Sequence, residues 1–337
     1  MKRLLPSLLA LSLTLPCVIA SAADELLVGN KSDDTVWRIS LEDGRKLGEF
    51  ASGAGPHEIA ISADGRTAVV TDYAQEQPGN TLTIVDLAAD AATRSISLGH
   101  HARPHGLRVL PGGDLLVTTE QSRALLRVDP EAGAVTQVID VGDGVGHMVA
   151  TSRDGAVAYV SKIAAGTVSR VDVAAARVTH EVAAGEGAEG IEVAPDGSVW
   201  VTNRAVDTVT VHDPDTLEKI DTLDSSGFPI RVAFTPDGRH ALVTNARAAT
   251  LSVFDAATRA PVVTVPLRPE GGESGQSMLG QGPMPIGVIA DPSRPRVYVA
   301  ISGADRIAVI DSGDWRVLGY WTTGRQPDAL GIVRQGR

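Results

Sequence analysis

Three histidines recur in step. His57 opens the run "HEIAISADG", His105 opens "HGLRVLPGG" and His147 opens "HMVATSRDG". Each stands just ahead of a short apolar stretch, a tight turn and a second apolar stretch. Neutral imidazoles from separate segments can surround one ion. Zinc or copper accepts three His plus a water or carboxylate. Without metal, imidazole beside carboxylate makes an acid/base pair. Duplication alone would also copy a His from unit to unit, and a His before a strand can simply bond a neighbouring carbonyl.

The elements that carry these residues repeat. The second apolar runs share Val28, Val70, Val117, Val160, Val201, Val243 and Val299, with steps of 42, 47, 43, 41, 42 and 56 residues. Each unit alternates apolar and polar residues without a helical period. The turns "ADG" at Ala63, "RDG" at Arg153 and "PDG" at Pro195 and Pro236 supply the positive φ that a tight hairpin needs. A second hairpin follows in each unit. Its Asp residues (Asp86, Asp129, Asp172, Asp213, Asp255 and Asp311) are expected to cap the turn through their side chains. Four strands per forty-odd residues describe a propeller blade. The expected fold is an all-β, seven-bladed β-propeller with four-stranded blades over 24–337. No inner strand precedes "LLVGN" at Leu26, and "QPDALGIV" at Gln326 is expected to supply it, closing the ring at the N-terminal blade.

In this register the residue ahead of each inner strand runs Asp328, His57, His105, His147, Glu189, Ile230, Ile286 around the ring. Five successive blades carry metal-ligand or acid/base side chains over the channel mouth. His57, His105 and His147 are the candidate metal ligands, for copper or zinc, and Glu189 and Asp328 are the candidate catalytic bases. His100 and His101 lie in the same connecting segments. Met148, Met278 and Met284 are expected on this face, and thioethers there would favour Cu(I). Met278, Met284 and Arg103 are candidate cofactor contacts. Lys31, Arg204, Arg247, Arg103 and Arg325 either ring an anionic ligand or, as the ordinary reading has it, are solvated loop tips. Trp37, Trp200, Trp315 and Trp321 are read as blade packing.

Composition narrows the function. Lys2 and Arg3, the apolar run that follows and the small residues Ala20-Ser21-Ala22 form a secretory signal over 1–23. The run is short for a membrane span, so a periplasmic protein that is not membrane-embedded is expected. Cys17, the single cysteine, lies inside that signal. Disulfides and thiolate sites are therefore not expected. The formal charge of −11, or −13 without Lys2 and Arg3, argues against nucleic acid as a partner.

"VTN" at Val201 and Val243, "YVS" at Tyr159 and "YVA" at Tyr298 resemble the motif of the YVTN-repeat β-propellers, a group akin to the propeller of cytochrome d1-type proteins. The resemblance covers the whole chain after the signal. It implies an exported seven-bladed ring with any site at the central channel. No C-x-x-C-H occurs, so covalent haem is not expected. Three functions stay open. One is a monomeric module that binds a small ligand or a periplasmic protein at the mouth. Another is a metal-dependent hydrolase, lyase or oxidoreductase. The third is a carrier or sensor of a quinone or non-covalent haem.

Overall fold

The computed structural model describes residues 24–74, 76–89, 93–269, 276–277 and 279–334. The expected signal segment and Met278 lie outside the described residues. Seven antiparallel sheets of four strands form the ring, and in six of them the strand order follows the chain from the axis outward. The inner strands of blades 2 to 7 are Pro56–Ile61, Pro104–Val109, Gly146–Thr151, Ala188–Val193, Pro229–Phe234 and Pro285–Ala290. Blade 1 takes its inner strand from the other end of the chain: Pro327–Val333 pairs antiparallel with Glu25–Asn30. That pairing closes the ring as expected and leaves no edge between first and last blades.

Strand alternation builds the core. Leu115 and Val117 face blade 2, where they meet Val69, Leu82 and Ile96. Their neighbour Leu116 faces blade 4 and meets Val149, Ala158 and Val160. Each apolar cluster is thus a layer between two adjacent sheets. Trp200 is fully buried against Phe234 and Phe254, and Trp321 packs on Tyr298. The turn chemistry is also as expected. Gly155 and Gly197 adopt φ of 71° and 92°. All six Asp residues that end third strands accept backbone N–H bonds from the turn that follows.

Three features place side chains over the axis, the first two of them in every blade. First, the residue two before each inner-strand site position is left-handed: Gly55, Arg103, Val145, Gly187, Phe228, Met284 and Gln326 all have positive φ. Second, the pairing of inner and second strands shifts register at the site residue in all seven blades. Such an irregularity re-aims side chains. Third, in four blades the hydroxyl after the shared valine (Thr118, Ser161, Thr202 and Thr244) joins neighbouring blades. Thr118 accepts a bond from the Gly106 N–H at 2.8 Å and donates to the His147 carbonyl at 2.5 Å. Thr244 does the same with the Arg231 N–H and the Ile286 carbonyl. Inner strands come so close here that a Cβ on Gly287 would stand 1.9 Å from the Asp328 carbonyl oxygen.

Candidate functional site at the axial mouth

The register brings the three imidazoles together. His57 and His105 have ring centroids 4.1 Å apart, and His105 and His147 have theirs 3.8 Å apart. All three are buried. His57 Nδ1 lies 3.2 Å from Asp328 Oδ2, and Lys31 Nζ lies 2.7 Å from the same oxygen. His147 sits between two acids, with Nδ1 at 2.6 Å from Glu120 Oε1 and Nε2 at 3.2 Å from Glu189 Oε1. Arg204 donates to the other oxygen of Glu189. His105, in the middle, has a buried Nδ1 with no hydrogen-bond partner among the described residues. None of the three rings bonds a carbonyl of a neighbouring blade.

The charges follow from these contacts. Burial works against a charged His147, yet Glu189 and Glu120 outweigh it and raise its pKa to about 9. An imidazolium at that position donates from both nitrogens, which matches its two acceptors. Burial and the neighbouring imidazoles hold His105 well below the usual His value. Burial and Lys31 do the same to His57, against the pull of Asp328. Burial alone would raise Asp328, but Lys31, His57 and Arg231 bring it down to about 2.

A second ring surrounds the first. Tyr73 stacks on His57 with centroids 4.8 Å apart and donates its hydroxyl to Glu120 Oε2 at 2.6 Å. Burial and the Glu120 charge push its phenol up to about 12. Below the mouth Arg231 of blade 6 reaches across the axis to Glu58 of blade 2 at 2.7 Å. Deeper, Arg108 of blade 3 meets Glu192 of blade 5 at 2.8 Å. These two pairs span the channel beneath the mouth. Its cavity is about 320 Å³. A larger one of about 880 Å³ opens among the turns at the other end of blades 4 to 7. It contains no His, and the clustered ionisable groups lie at the smaller.

No protein-family model and no curated protein matches this sequence. Solved structures share its fold. Hydrazine synthase of Kuenenia stuttgartiensis superposes with a TM-score of 0.70 at 18% identity, covering 85% of this chain and 92% of that one. The periplasmic gluconolactonase of Pseudomonas aeruginosa gives 0.72 at 19%, covering 93% and 99%. A protein of unknown function from Desulfotomaculum acetoxidans gives 0.74 at 14%, covering 93% and 100%. At these identities the likeness shows the propeller and nothing about chemistry.

Several residues stand elsewhere than the sequence suggested. Lys31 is not a solvated tip: its side chain is 9% exposed and paired with Asp328. Arg204 likewise turns inward to Glu189. Arg247 instead covers the Phe228 ring at 3.8 Å. Arg325 is exposed and pairs with Asp33, outside the mouth. Arg103 lies with its guanidinium over Tyr73, 4.9 Å from the ring centre, and does not line the cavity. Met148 is core, packed among Ala150, Tyr159 and Ile191. Met284 packs with Phe228, Ile230 and Ile286 rather than beside an imidazole. His100 and His101 stack on each other, and His101 bonds Ser122; neither lines the mouth.

Tyr73 and Glu120 are the residues that sequence reasoning missed. Both lie three positions after a shared valine, as do Lys31 and Arg204. The alignment that registers the histidines therefore also contains the second ring, read three residues past Val28, Val70, Val117 and Val201.

Proposed function

We propose that this chain is an exported, periplasmic propeller of the YVTN-repeat type that binds a small ligand at its axial mouth. In this reading His105, His147 and Glu120, with His57 beside them, hold one zinc or copper ion there. The observation that carries it is His105, a buried imidazole whose Nδ1 has no partner, set between two other imidazoles. A buried polar atom without a bond costs about 1–3 kcal/mol and calls for an explanation, of which a bound ion is one.

The donor set fits. One ligand atom from each of His105, His147 and Glu120 lies within 4.8 Å of the others. Around one zinc at about 2.0–2.2 Å they would draw somewhat closer. Glu189 behind His147 and Asp328 behind His57 stand where supporting carboxylates orient metal-binding imidazoles. With Met284 packed away, the donors are nitrogen and oxygen, which suits zinc or Cu(II) better than Cu(I).

Binding is favoured over catalysis by the two candidate bases. Glu189 is engaged by His147 and Arg204, and Asp328 by Lys31 and His57. Both carboxyls are held below their usual pKa, which makes them weak proton acceptors. A mouth of about 320 Å³ lies at the small end of ligand pockets, which favours a small molecule over a macrocycle.

The test is metal analysis of protein purified without a polyhistidine tag, followed by zinc titration of the chelated protein. One equivalent of zinc or copper, absent from His105→Ala, supports the reading. Protein that takes up no metal by either route overturns it.

A further inference from the structure

The mouth has two chemically different sides. Asp328, His57, His105, His147 and Glu189 fill five successive positions of the ring. The remaining two are Ile230 and Ile286. Leu279, from the long connection between blades 6 and 7, joins them over the cavity, and Phe228 and Met284 back them. Ile230 and Ile286 are almost wholly buried, and half-buried Leu279 is the member of this group that still meets solvent. A small, wholly polar ligand would leave Leu279 uncovered on this side.

The charges point to the head group. Lys31, Arg204 and Arg231 face four carboxylates: Glu58, Glu120, Glu189 and Asp328. With His147 deprotonated, as a metal ligand must be, these groups carry one negative charge in excess. A divalent ion on neutral imidazoles would turn that into one positive charge, which a monoanion neutralises. Resting on the metal reading above, we propose that the occupant is an amphipathic carboxylic acid. Its carboxylate meets the ion on the histidine side, and its short aliphatic chain lies on Ile230, Ile286 and Leu279.

The head and the chain make separable contributions. Each methylene laid on the apolar wall strengthens binding about fourfold. The head depends on the ion and is indifferent to chain length. A cavity of about 320 Å³ sets the upper limit, so the gain with length must stop once the wall is covered.

The test is calorimetric titration of the zinc-loaded full chain with acetate, butyrate and hexanoate, with hexylamine as a head of opposite charge. Affinity is expected to rise about fourfold per added methylene from acetate to hexanoate. Hexanoate should bind at least tenfold more weakly to the zinc-free protein, and hexylamine should not compete. Leu279→Ser and Ile286→Thr should each flatten the series; Leu279 is half-buried in a connection, so at least that variant should fold. Zinc affinity, read on the same samples, reports on the metal by itself. Zinc binding with equal affinity for all three acids overturns this inference while leaving the metal reading intact. So does hexanoate binding that ignores zinc, or hexylamine binding as well as hexanoate. Failure of zinc to bind overturns both.

Discussion

The junction of blades 3 and 4 and that of blades 6 and 7 use one device for two ends. At the first, Thr118 accepts from Gly106 and donates to the carbonyl of His147. At the second, Thr244 accepts from Arg231 and donates to the carbonyl of Ile286. Both site residues follow a left-handed residue by two positions, Val145 in one case and Met284 in the other. The backbone is the same, yet one junction presents an imidazole and the other an isoleucine. The repeat thus encodes a means of holding one side chain over the axis. Chemistry enters through a single residue per blade, and the seven choices divide the mouth into an ionisable arc and an aliphatic one.

The largest effect should come from removing the centre of the ionisable arc. His105→Ala is expected to abolish stoichiometric metal binding, beyond the roughly 10–100-fold loss that a supporting residue causes. Ile286→Ala, on the other arc, should leave zinc affinity within about twofold and cost about 2–4 kcal/mol of stability as a buried large-to-small change. Equal loss of metal from both variants would mean that the two arcs are not chemically distinct.

A smaller effect should follow from cutting the tie between the arcs. Arg231 of blade 6 reaches Glu58 of blade 2 across the axis, and both side chains are largely buried. Arg231→Met leaves Glu58 without its main partner and should lower stability by about 3 kcal/mol. Adding Glu58→Gln should restore most of that, because the stranded charge is gone. Denaturation midpoints of the two variants decide the matter. A double variant no better than the single one would show that the pair is not the origin of the loss.

The same repeat shows which parts of this molecule are written in its sequence. Valine spacing, Asp-Gly turns and turn-capping Asp residues depend on contacts a few residues long, so blades, closure and the register of the histidines are legible. The choice between solvated and inward-facing Lys31 is not. It turns on Asp328, nearly three hundred residues away in sequence, which only ring closure brings into contact. Glu120 is hidden for a similar reason, since it serves a histidine of the next blade rather than its own. The packing of Met148 and Met284 into apolar clusters is equally a matter of inter-blade distance, which no pattern within one unit encodes.

Asp72 offers a case in which a carboxylic acid stands where three sibling blades have asparagine, at a purely structural position. Asn30, Asn203 and Asn245 end the equivalent strands, and all three donate to hydroxyls of the third strand. Asp72 faces the same hydroxyls, those of Thr81 and Thr83, together with the Gly53 N–H. Burial raises its pKa from 3.8 to about 6 despite those bonds. The folded chain therefore holds this proton more tightly than the unfolded chain does. The stability it confers is complete below pH 3.8, declines between there and about 6, and is absent at higher pH. Asp72→Asn should accordingly stabilise the protein at pH 7.5 by on the order of 2 kcal/mol, with the gain disappearing at pH 4. A gain that is the same at both pH values would assign the effect to hydrogen bonding instead of charge.

The smallest effect bears most directly on the opening contrast. Thr118→Val and Thr244→Val each remove a buried hydroxyl with two backbone partners, so each should cost about 1–2 kcal/mol. Stability should fall by similar amounts, because the device is the same. Function should not, because Thr118 fixes the backbone of His147 whereas Thr244 fixes that of Ile286. Zinc affinity is expected to drop roughly tenfold in the first variant, in the range for residues that orient a ligand, and to stay unchanged in the second. Valine is close in shape to threonine, so packing is a minor contributor and the hydroxyl is what is tested. If zinc affinity tracks stability alone and falls equally in both, then the hydroxyls merely join blades. The positioning of the imidazoles would then have to come from the left-handed residues and the strand irregularities that precede them.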